Sequence, residues 1–205
     1  MTLTDYVVLF ICILIAMSLH EMMHAYMAHK LGDMTAHDAG RLTLNPLKHI
    51  DIITTVLLPV LLIALGLPPF FAAKPVPFNP SQVKWGEFGA ALVGLIGPFT
   101  NLLLAFGAAI GIRLSGIGVG TEIYTVLSVF VQVNIAFFVF NMIPFPPLDG
   151  SRLLYALAPD PLQRFMAQIE GMGFTAILLF MFVFFPILRP IVIWANAGLY
   201  NLLLG

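Results

Sequence analysis

Residues 3–30 read LTDYVVLFICILIAMSLHEMMHAYMAHK. Residues 3–19 form an apolar run interrupted at Thr4 and Asp5, and the pattern continues through polar residues to Lys30. A run of this length can cross a bilayer as a helix. The residues before it lack the basic region and the small-residue cleavage site of a signal peptide, so we expect the helix to remain in the protein.

The rest of the chain has the same character. Of its 205 residues, 60% are hydrophobic and 9% are charged, and the net charge is -1. About a quarter of the residues of an average protein are charged, so this chain cannot cover a water-soluble surface. It has no basic excess to bind nucleic acid and one cysteine, which excludes a disulfide framework. Further apolar runs cover about 52–66, 88–112, 123–143 and 172–204.

These runs leave no segment for a soluble domain. We therefore predict an all-α polytopic membrane protein, with about four to six transmembrane or re-entrant helices in one membrane-embedded domain over residues 1–205. We expect the lipid bilayer to surround this domain.

Two histidines and a glutamate lie at the end of the first apolar run, in His20-Glu21-Met22-Met23-His24. Positions i and i+4 share a helix face, so His20 and His24 can present two nitrogens to one metal ion. Glu21 lies where a general base acting on water at that metal would be needed. Chance predicts about 0.002 such motifs in this chain, and snorkelling helix ends favour Lys and Arg over this combination. We interpret the motif as part of a zinc site.

A catalytic zinc also needs a third protein ligand. Asp149 ends the stretch Asn141-Met142-Ile143-Pro144-Phe145-Pro146-Pro147-Leu148-Asp149-Gly150, where three prolines forbid a helix. Irregular backbone at membrane depth is tolerated where it lines a cavity, so this carboxylate is a candidate ligand. Asp149 could equally cap a short helix beginning near Ser151. The other candidates are His29, His37, His49, Asp33, Asp38 and Asp51.

Three separated elements resemble the motifs of the site-2 proteases, which are intramembrane zinc metalloproteases. They are His20 to His24, Gly97-Pro98-Phe99-Thr100-Asn101, and Asn141 to Gly150. The resemblance implies that Asp149 is the third zinc ligand, that Asn141 holds an extended substrate segment, and that Asn101 orders the core near the site. The chain resembles a minimal, core-only member without PDZ or CBS domains.

The helix directions are constrained because His20, His24 and Asp149 must meet at one depth. If the first helix runs from outside to inside, the helix over 123–143 must do the same and that over 88–112 must run back. Run 52–66 would then begin and end inside. Its 15 residues extend about 22 Å as a helix, which is short for a hydrocarbon core of about 30 Å, so we predict a re-entrant or shallow segment.

The basic residues fit this topology. Seven of the nine fall inside, as the positive-inside rule requires: Lys30, Arg41, Lys48, Lys74, Lys84, Arg152 and Arg164. Arg113 falls outside, as does Arg189 if the last run forms a hairpin. We expect an integral multi-pass protein, in the inner membrane if the source is bacterial, with its active site toward the cytoplasm.

Four smaller features complete the sequence predictions. Residues 36–46 alternate briefly and end in Asn-Pro, which favours a strand or small β-hairpin that could bind an unwound substrate by strand addition. An ordinary connecting loop is an equal alternative. For Asn134 we expect a hydrogen bond between helices, and for Gly107 and Gly111 close helix contacts.

The sequence therefore predicts an enzyme with one Zn²⁺ per chain that hydrolyses a peptide bond in or near a transmembrane segment of another protein. Glu21 would be its general base. One alternative is an inactive zinc-binding membrane scaffold or chaperone, which would not need Glu21. A metal transporter is another, but it would carry ionisable residues on several helices.

The topology predicts that cysteines placed at positions 70–85 react with a membrane-impermeant thiol reagent from the inner face alone. Run 52–66 does not cross the bilayer in this topology, so both of its ends share one side. Labelling of residues 70–85 from the outer face would contradict it. Cysteines at positions 116–121, which lie outside in this topology, are the reference for outer-face labelling.

Overall fold

A computed structural model describes residues 2–64 and 73–205 of the chain, and within these ranges it contains helices and turns but no strand. The α-helices are α1 (Leu3–Lys30), α2 (Thr35–Asp38), α3 (Leu58–Ala64), α4 (Gly86–Ser115), α5 (Glu122–Asn141), α6 (Gly150–Leu157), α7 (Asp160–Gly171), α8 (Phe174–Leu179) and α9 (Phe185–Leu204). Two 3₁₀ turns, Pro46–Lys48 and Pro80–Gln82, and two π-helical segments, Ile52–Leu57 and Phe180–Phe184, complete the elements.

Four helices within the described ranges are long and apolar enough to cross a membrane: α1, α4, α5 and the helix Phe174–Leu204. The prediction of an all-α polytopic membrane protein is thereby confirmed. α4 packs against α1, α5 and α6, and α5 packs against both α1 and α9. The bundle therefore brings the end of α1, the middle of α4 and the segment after α5 together.

The start of α1 is fixed by a capping box. The Thr2 hydroxyl accepts a hydrogen bond from the Asp5 N–H, and the Asp5 carboxylate accepts one from the Thr2 N–H. These bonds satisfy donors that have no partner within the helix. α1 then continues for 28 residues to Lys30, so the His20–His24 motif lies well inside one continuous helix.

The last apolar run is one helix rather than a hairpin. α8, the π-helical segment Phe180–Phe184 and α9 follow one another without a break, and we call Phe174–Leu204 the C-terminal helix. Leu188 packs on the same cluster as Ile143, which lies just past the end of α5. Arg189 therefore lies at the end of the bundle that carries Asp149, and its expected place in an outer hairpin is wrong.

The segment after Asp51 forms a short helix at the edge of the bundle. Ile52–Leu57 and α3 contact each other, and neither packs extensively against another described helix. The 13 residues from Ile52 to Ala64 extend about 20 Å, less than a bilayer core. Residues 65 and 66 of the predicted run lie outside the described residues, and its failure to cross the membrane stays a prediction.

The predicted strand or hairpin over residues 36–46 is wrong. Residues Thr35–Asp38 form α2, and the Asn-Pro pair begins the 3₁₀ turn Pro46–Lys48. Arg41 is buried and donates through Nη2 to the carbonyl of Lys74 at 2.5 Å. The segment is held by hydrogen bonds within turns and by this arginine side chain, and not by the hydrogen bonds between strands that its alternating sequence predicted.

Asp33 is a fully buried carboxylate that joins two connecting segments. Its Oδ1 accepts hydrogen bonds from the N–H and hydroxyl of Thr35, and its Oδ2 accepts one from the N–H of Asn79 at 2.7 Å. Burial raises the pKa of Asp33, but the hydrogen bonds from Thr35 and Asn79 outweigh it and hold the pKa below its ordinary value. The carboxylate thus ties the exit of α1 to the entry of α4.

We expect Asp33→Ala to destabilise the fold by about 1–3 kcal/mol, because buried donors lose their acceptor. The lowered pKa means that this contribution is fully present above the unfolded-state value of about 4 and is lost as pH falls through the folded-state value. Thermal unfolding in detergent at neutral pH measures the loss. Asp38→Ala, at an exposed carboxylate, is the matched control, and equal melting temperatures for the two variants would contradict the role of Asp33.

Candidate metal centre and active site

His20, His24 and Asp149 meet at one point of the bundle. Nε2 of His20 lies 2.9 Å from Nε2 of His24 and 3.0 Å from Oδ2 of Asp149, and Nε2 of His24 lies 3.4 Å from the same oxygen. Both histidines are buried. Within the described ranges these three residues are the one group of three or more His, Cys, Asp or Glu side chains placed to hold a metal ion.

The second nitrogen of each imidazole is held by the protein. Nδ1 of His20 lies 2.6 Å from Oδ1 of Asn101, and Nδ1 of His24 lies 2.6 Å from the carbonyl of Val93. Both partners accept hydrogen bonds, so each Nδ1 carries the proton and each Nε2 presents a lone pair. Two lone pairs and a carboxylate oxygen facing one another repel unless a cation joins them. The donor set of two imidazoles and one carboxylate fits zinc, and the partners of Nδ1 fix the imidazole orientation as in known zinc sites.

Asp149 occupies the N-cap position of α6, but its side chain makes no capping hydrogen bond. It points instead toward the two histidines. The sequence left two roles open for Asp149, a helix cap and a metal ligand. In the structure its backbone begins α6, while its carboxylate lies with the two histidines and does not cap the helix.

The proline-rich segment before Asp149 is anchored by apolar packing. Leu148 is buried in a cluster with Phe180 and Met181 of the C-terminal helix, and Phe145 packs against the same cluster. This packing fixes a segment that cannot form a helix. The C-terminal helix therefore helps to position Asp149, a role that its sequence did not indicate.

Three glycines allow the close approach that the site needs. A Cβ atom at Gly97 would lie 2.3 Å from Nε2 of His24, one at Gly94 would lie 2.8 Å from Cγ of Arg152, and one at Gly150 would lie 2.5 Å from the carbonyl oxygen of Met142. By contrast, Gly107 and Gly111 have nothing within 4 Å of such an atom. The expected close helix contacts at those two positions are absent from the described residues, and the close contacts lie at the site.

Asn101 connects the site to the helix core. Its Nδ2 donates to the carbonyl of Ala16 at 3.2 Å and to Oδ1 of Asn134 at 2.9 Å, while its Oδ1 accepts from His20. Both asparagines are fully buried. Asn134 thus makes the predicted hydrogen bond between helices, and Asn101 joins α1, α4 and α5 beside His20.

Glu21 is buried and lines the same cavity as His20, His24 and Asp149. It does not belong to the group of converging ligand atoms. No hydrogen bond or ion pair occupies its carboxylate within residues 2–64 and 73–205. Asn141 also lines this cavity, and its Nδ2 donates to the carbonyl of Phe137.

The remaining ligand candidates serve elsewhere. Asp33 binds Thr35 and Asn79, as described above, and Asp51 accepts hydrogen bonds from the N–H groups of Ile53 and Thr54. The imidazole of His29 stacks on that of His37, which contacts Asp38. His49 is buried with Nε2 against the carbonyl of Thr43.

The cavity at the site has a volume of about 1830 Å³ and extends far beyond the metal ligands. It continues along α5 as far as Glu122 and reaches Asp5 on α1 and Asn196 on the C-terminal helix. At the site end it is lined by Arg152, which forms an ion pair with Glu170 and lies 5.5 Å from the ring centroid of Phe78. In the sequence analysis Arg152 has a role in topology and no place at the site.

The fold and the site define a class: a helical membrane protein in which two histidines and an aspartate can hold a metal ion. Comparison with known proteins agrees. The chain is 36% identical over 199 residues to "Putative zinc metalloprotease YwhC" of Bacillus subtilis, with 93% of the chain and 86% of that protein covered. The chain therefore belongs to the zinc metalloprotease family of YwhC, and its own apolar helices make it a membrane metalloprotease.

Two further relatives carry the name "Putative zinc metalloprotease Rip2". Identity is 31% over 167 residues to the protein of Mycolicibacterium smegmatis and 28% over 168 residues to that of Mycobacterium tuberculosis. In both, 80% of this chain covers 62% of the relative, so the chain spans less than two thirds of Rip2. No family model matches the chain. No solved structure matches it either.

We expect Gly97→Ala to lower the zinc content of the purified protein about tenfold or more, because the new methyl group displaces the His24 imidazole. Elemental analysis after purification measures this. Gly107→Ala adds the same methyl group on the same helix, where nothing lies within 4 Å, and should keep the parent's zinc content. Parental zinc in Gly97→Ala would contradict the placement of the ligands.

Proposed function

We propose that this protein is an intramembrane zinc protease of the site-2 type, which hydrolyses a peptide bond in or near a transmembrane segment of another membrane protein. The observation that carries the proposal is the position of Glu21. A buried carboxylate without a hydrogen-bond partner among the described residues lines the cavity beside the candidate metal ligands. A zinc site that served structure alone would not need it.

His20, His24 and Asp149 would hold one zinc ion per chain. When bound, zinc supplies a Lewis acid that acidifies water and polarises a carbonyl group. The Glu21 carboxylate takes a proton from the attacking water, whose oxygen bonds to the scissile carbonyl carbon. Glu21 then gives this proton to the leaving nitrogen as the C–N bond breaks. Asn101 and the Val93 carbonyl keep both imidazoles oriented throughout.

The substrate must be locally unwound, because the peptide bonds of a helix are hydrogen-bonded within it. Asn141 lies at the cavity with its side-chain N–H committed to Phe137. Its side-chain oxygen has no hydrogen-bond donor among the described residues and can accept one from an extended backbone. This is the role that the resemblance to site-2 proteases implies for Asn141.

We further propose that the site faces the cytoplasm, in the inner membrane if the source is bacterial. With Arg189 at the Asp149 end of the bundle, eight of the nine basic residues belong to segments at that end, and Arg113 lies at the other. Such a bias predicts the cytoplasmic side. Asp5 and Glu122 lie near the starts of α1 and α5, at the opposite end from Asp149.

We expect Glu21→Gln to keep zinc and to abolish proteolysis, because the amide cannot accept the proton. Fragments of membrane proteins are compared by proteomics between cells that carry the parent and the variant, and zinc is measured on both purified proteins. Fragments that depend on the parent should disappear.

Glu87→Gln makes the same change on α4, at a residue that does not line the cavity, and should behave as the parent. Persistence of the parent's fragments in Glu21→Gln would contradict the role of Glu21. Loss of zinc from this variant would instead assign the carboxylate to the metal site. Zinc binding by the parent without any fragment that depends on it would favour the scaffold alternative.

A further inference from the structure

One face of α5 forms a groove that leads to the metal centre. α5 packs against both α1 and the C-terminal helix, and the cavity is lined by α5 residues at every turn from Glu122 to Asn141. These 20 residues extend about 29 Å, close to the thickness of a hydrocarbon core. We call this cavity-lining face, between α1 and the C-terminal helix, the α5 groove.

Gln132 places an amide halfway along the α5 groove. It is exposed, it lines the cavity, and no described residue hydrogen-bonds to its side chain. Along the helix it lies about 15 Å from Glu122 and about 14 Å from Asn141. Against hydrocarbon this amide has no hydrogen-bond partner, so its exposure is unfavourable until water or a polar side chain reaches it.

Asn196 places a second amide in the same cavity, on the C-terminal helix. Its Nδ2 donates to the carbonyl of Val192 in its own helix, and its Oδ1 has no donor among the described residues. It lies nearer the metal centre than Gln132, because Val192 and Ala195 share a small cavity with Val139 and Met142 near the end of α5.

We propose that Gln132 and Asn196 determine substrate specificity by hydrogen-bonding to a polar side chain of the transmembrane helix that occupies the α5 groove. The backbone groups of an incoming helix are already paired, so an amide on the wall can pair only with a side chain such as Asn, Gln, Ser or Thr. The inference rests on the proposed function for its occupant, a transmembrane segment of a substrate.

This geometry also sets a spacing. A residue that binds Gln132 lies about 14 Å along the groove from Asn141, which corresponds to about nine residues of helix. A substrate would therefore carry its polar residue in the middle of the membrane and be cleaved nearer the Asp149 end. An apolar helix of the same length would enter the groove without satisfying either amide.

The test uses two synthetic transmembrane peptides of leucine and alanine, about 22 residues long, flanked by lysines. One carries Asn at its centre and the other carries Leu there. Binding to the full-length, zinc-loaded Glu21→Gln protein in lipid nanodiscs is measured by energy transfer, so that neither peptide is cut. We expect the Asn peptide to bind about three- to twentyfold more tightly, as hydrogen bonds between membrane helices allow.

The double variant Gln132→Leu/Asn196→Leu should bind both peptides equally and keep its zinc. Asn201→Leu is the matched control, because Asn201 lies on the same helix as Asn196 but does not line the cavity; it should keep the preference. The variant Gln132→Asn/Asn196→Leu has an amide at position 132 again, and it should recover part of the preference that the double leucine variant loses. If the double variant loses zinc, the two single variants report on each amide separately.

Equal binding of the two peptides to the unmodified groove would overturn the inference, as would a preference that survives removal of both amides. Failure of both peptides to bind would also overturn the inference, because lipid and not a helix would then occupy the α5 groove. The proposed function can fail while this inference holds. That is the outcome if the parent generates no fragments but its Glu21→Gln form prefers the Asn peptide: the α5 groove would then bind polar helices in a protein that does not cleave them.

Discussion

The cost of placing polar groups inside an apolar bundle governs this structure. Two imidazoles and a carboxylate are brought within 3.4 Å of one another, which is unfavourable unless a cation joins them and every remaining donor is paired. The pairing reaches outward from His20 through Asn101 to Asn134 and the carbonyl of Ala16. The site thereby fixes how α1, α4 and α5 lie against one another.

Steric room is the second requirement, and α4 provides it. Gly97 leaves space for the His24 imidazole, and Gly94 lets Arg152 and the backbone of Asp149 approach the helix. Gly150 permits the turn against Met142 that begins α6. The C-terminal helix packs against Leu148 and so holds the proline-rich segment in place. The geometry of the candidate site thus depends on residues that contribute no ligand or acid–base group of their own.

Sequence reasoning succeeded where a residue pattern has few stable environments in a membrane and failed where a distant partner decides. The long apolar runs form helices, and His20 and His24 present their nitrogens to one point as their spacing predicts, whereas the alternation over residues 36–46 had no neighbouring strand and became α2 and turns. Small residues at Gly107 and Gly111 suggested close packing, but the close approaches are at Gly94 and Gly97. Nothing local distinguishes these two pairs.

The sequence by itself determined that the chain is a helical membrane protein, because its apolar runs can be satisfied in few other ways. It also determined that His20 and His24 share one face as candidate metal ligands, since both lie on one helix with a fixed repeat. Only the tertiary structure decided that the Asp149 side chain turns to the histidines instead of capping α6, that Arg189 lies at the site end, and that Gln132 and Asn196 face one cavity. Those outcomes depend on contacts between helices far apart in the chain, which no local pattern records.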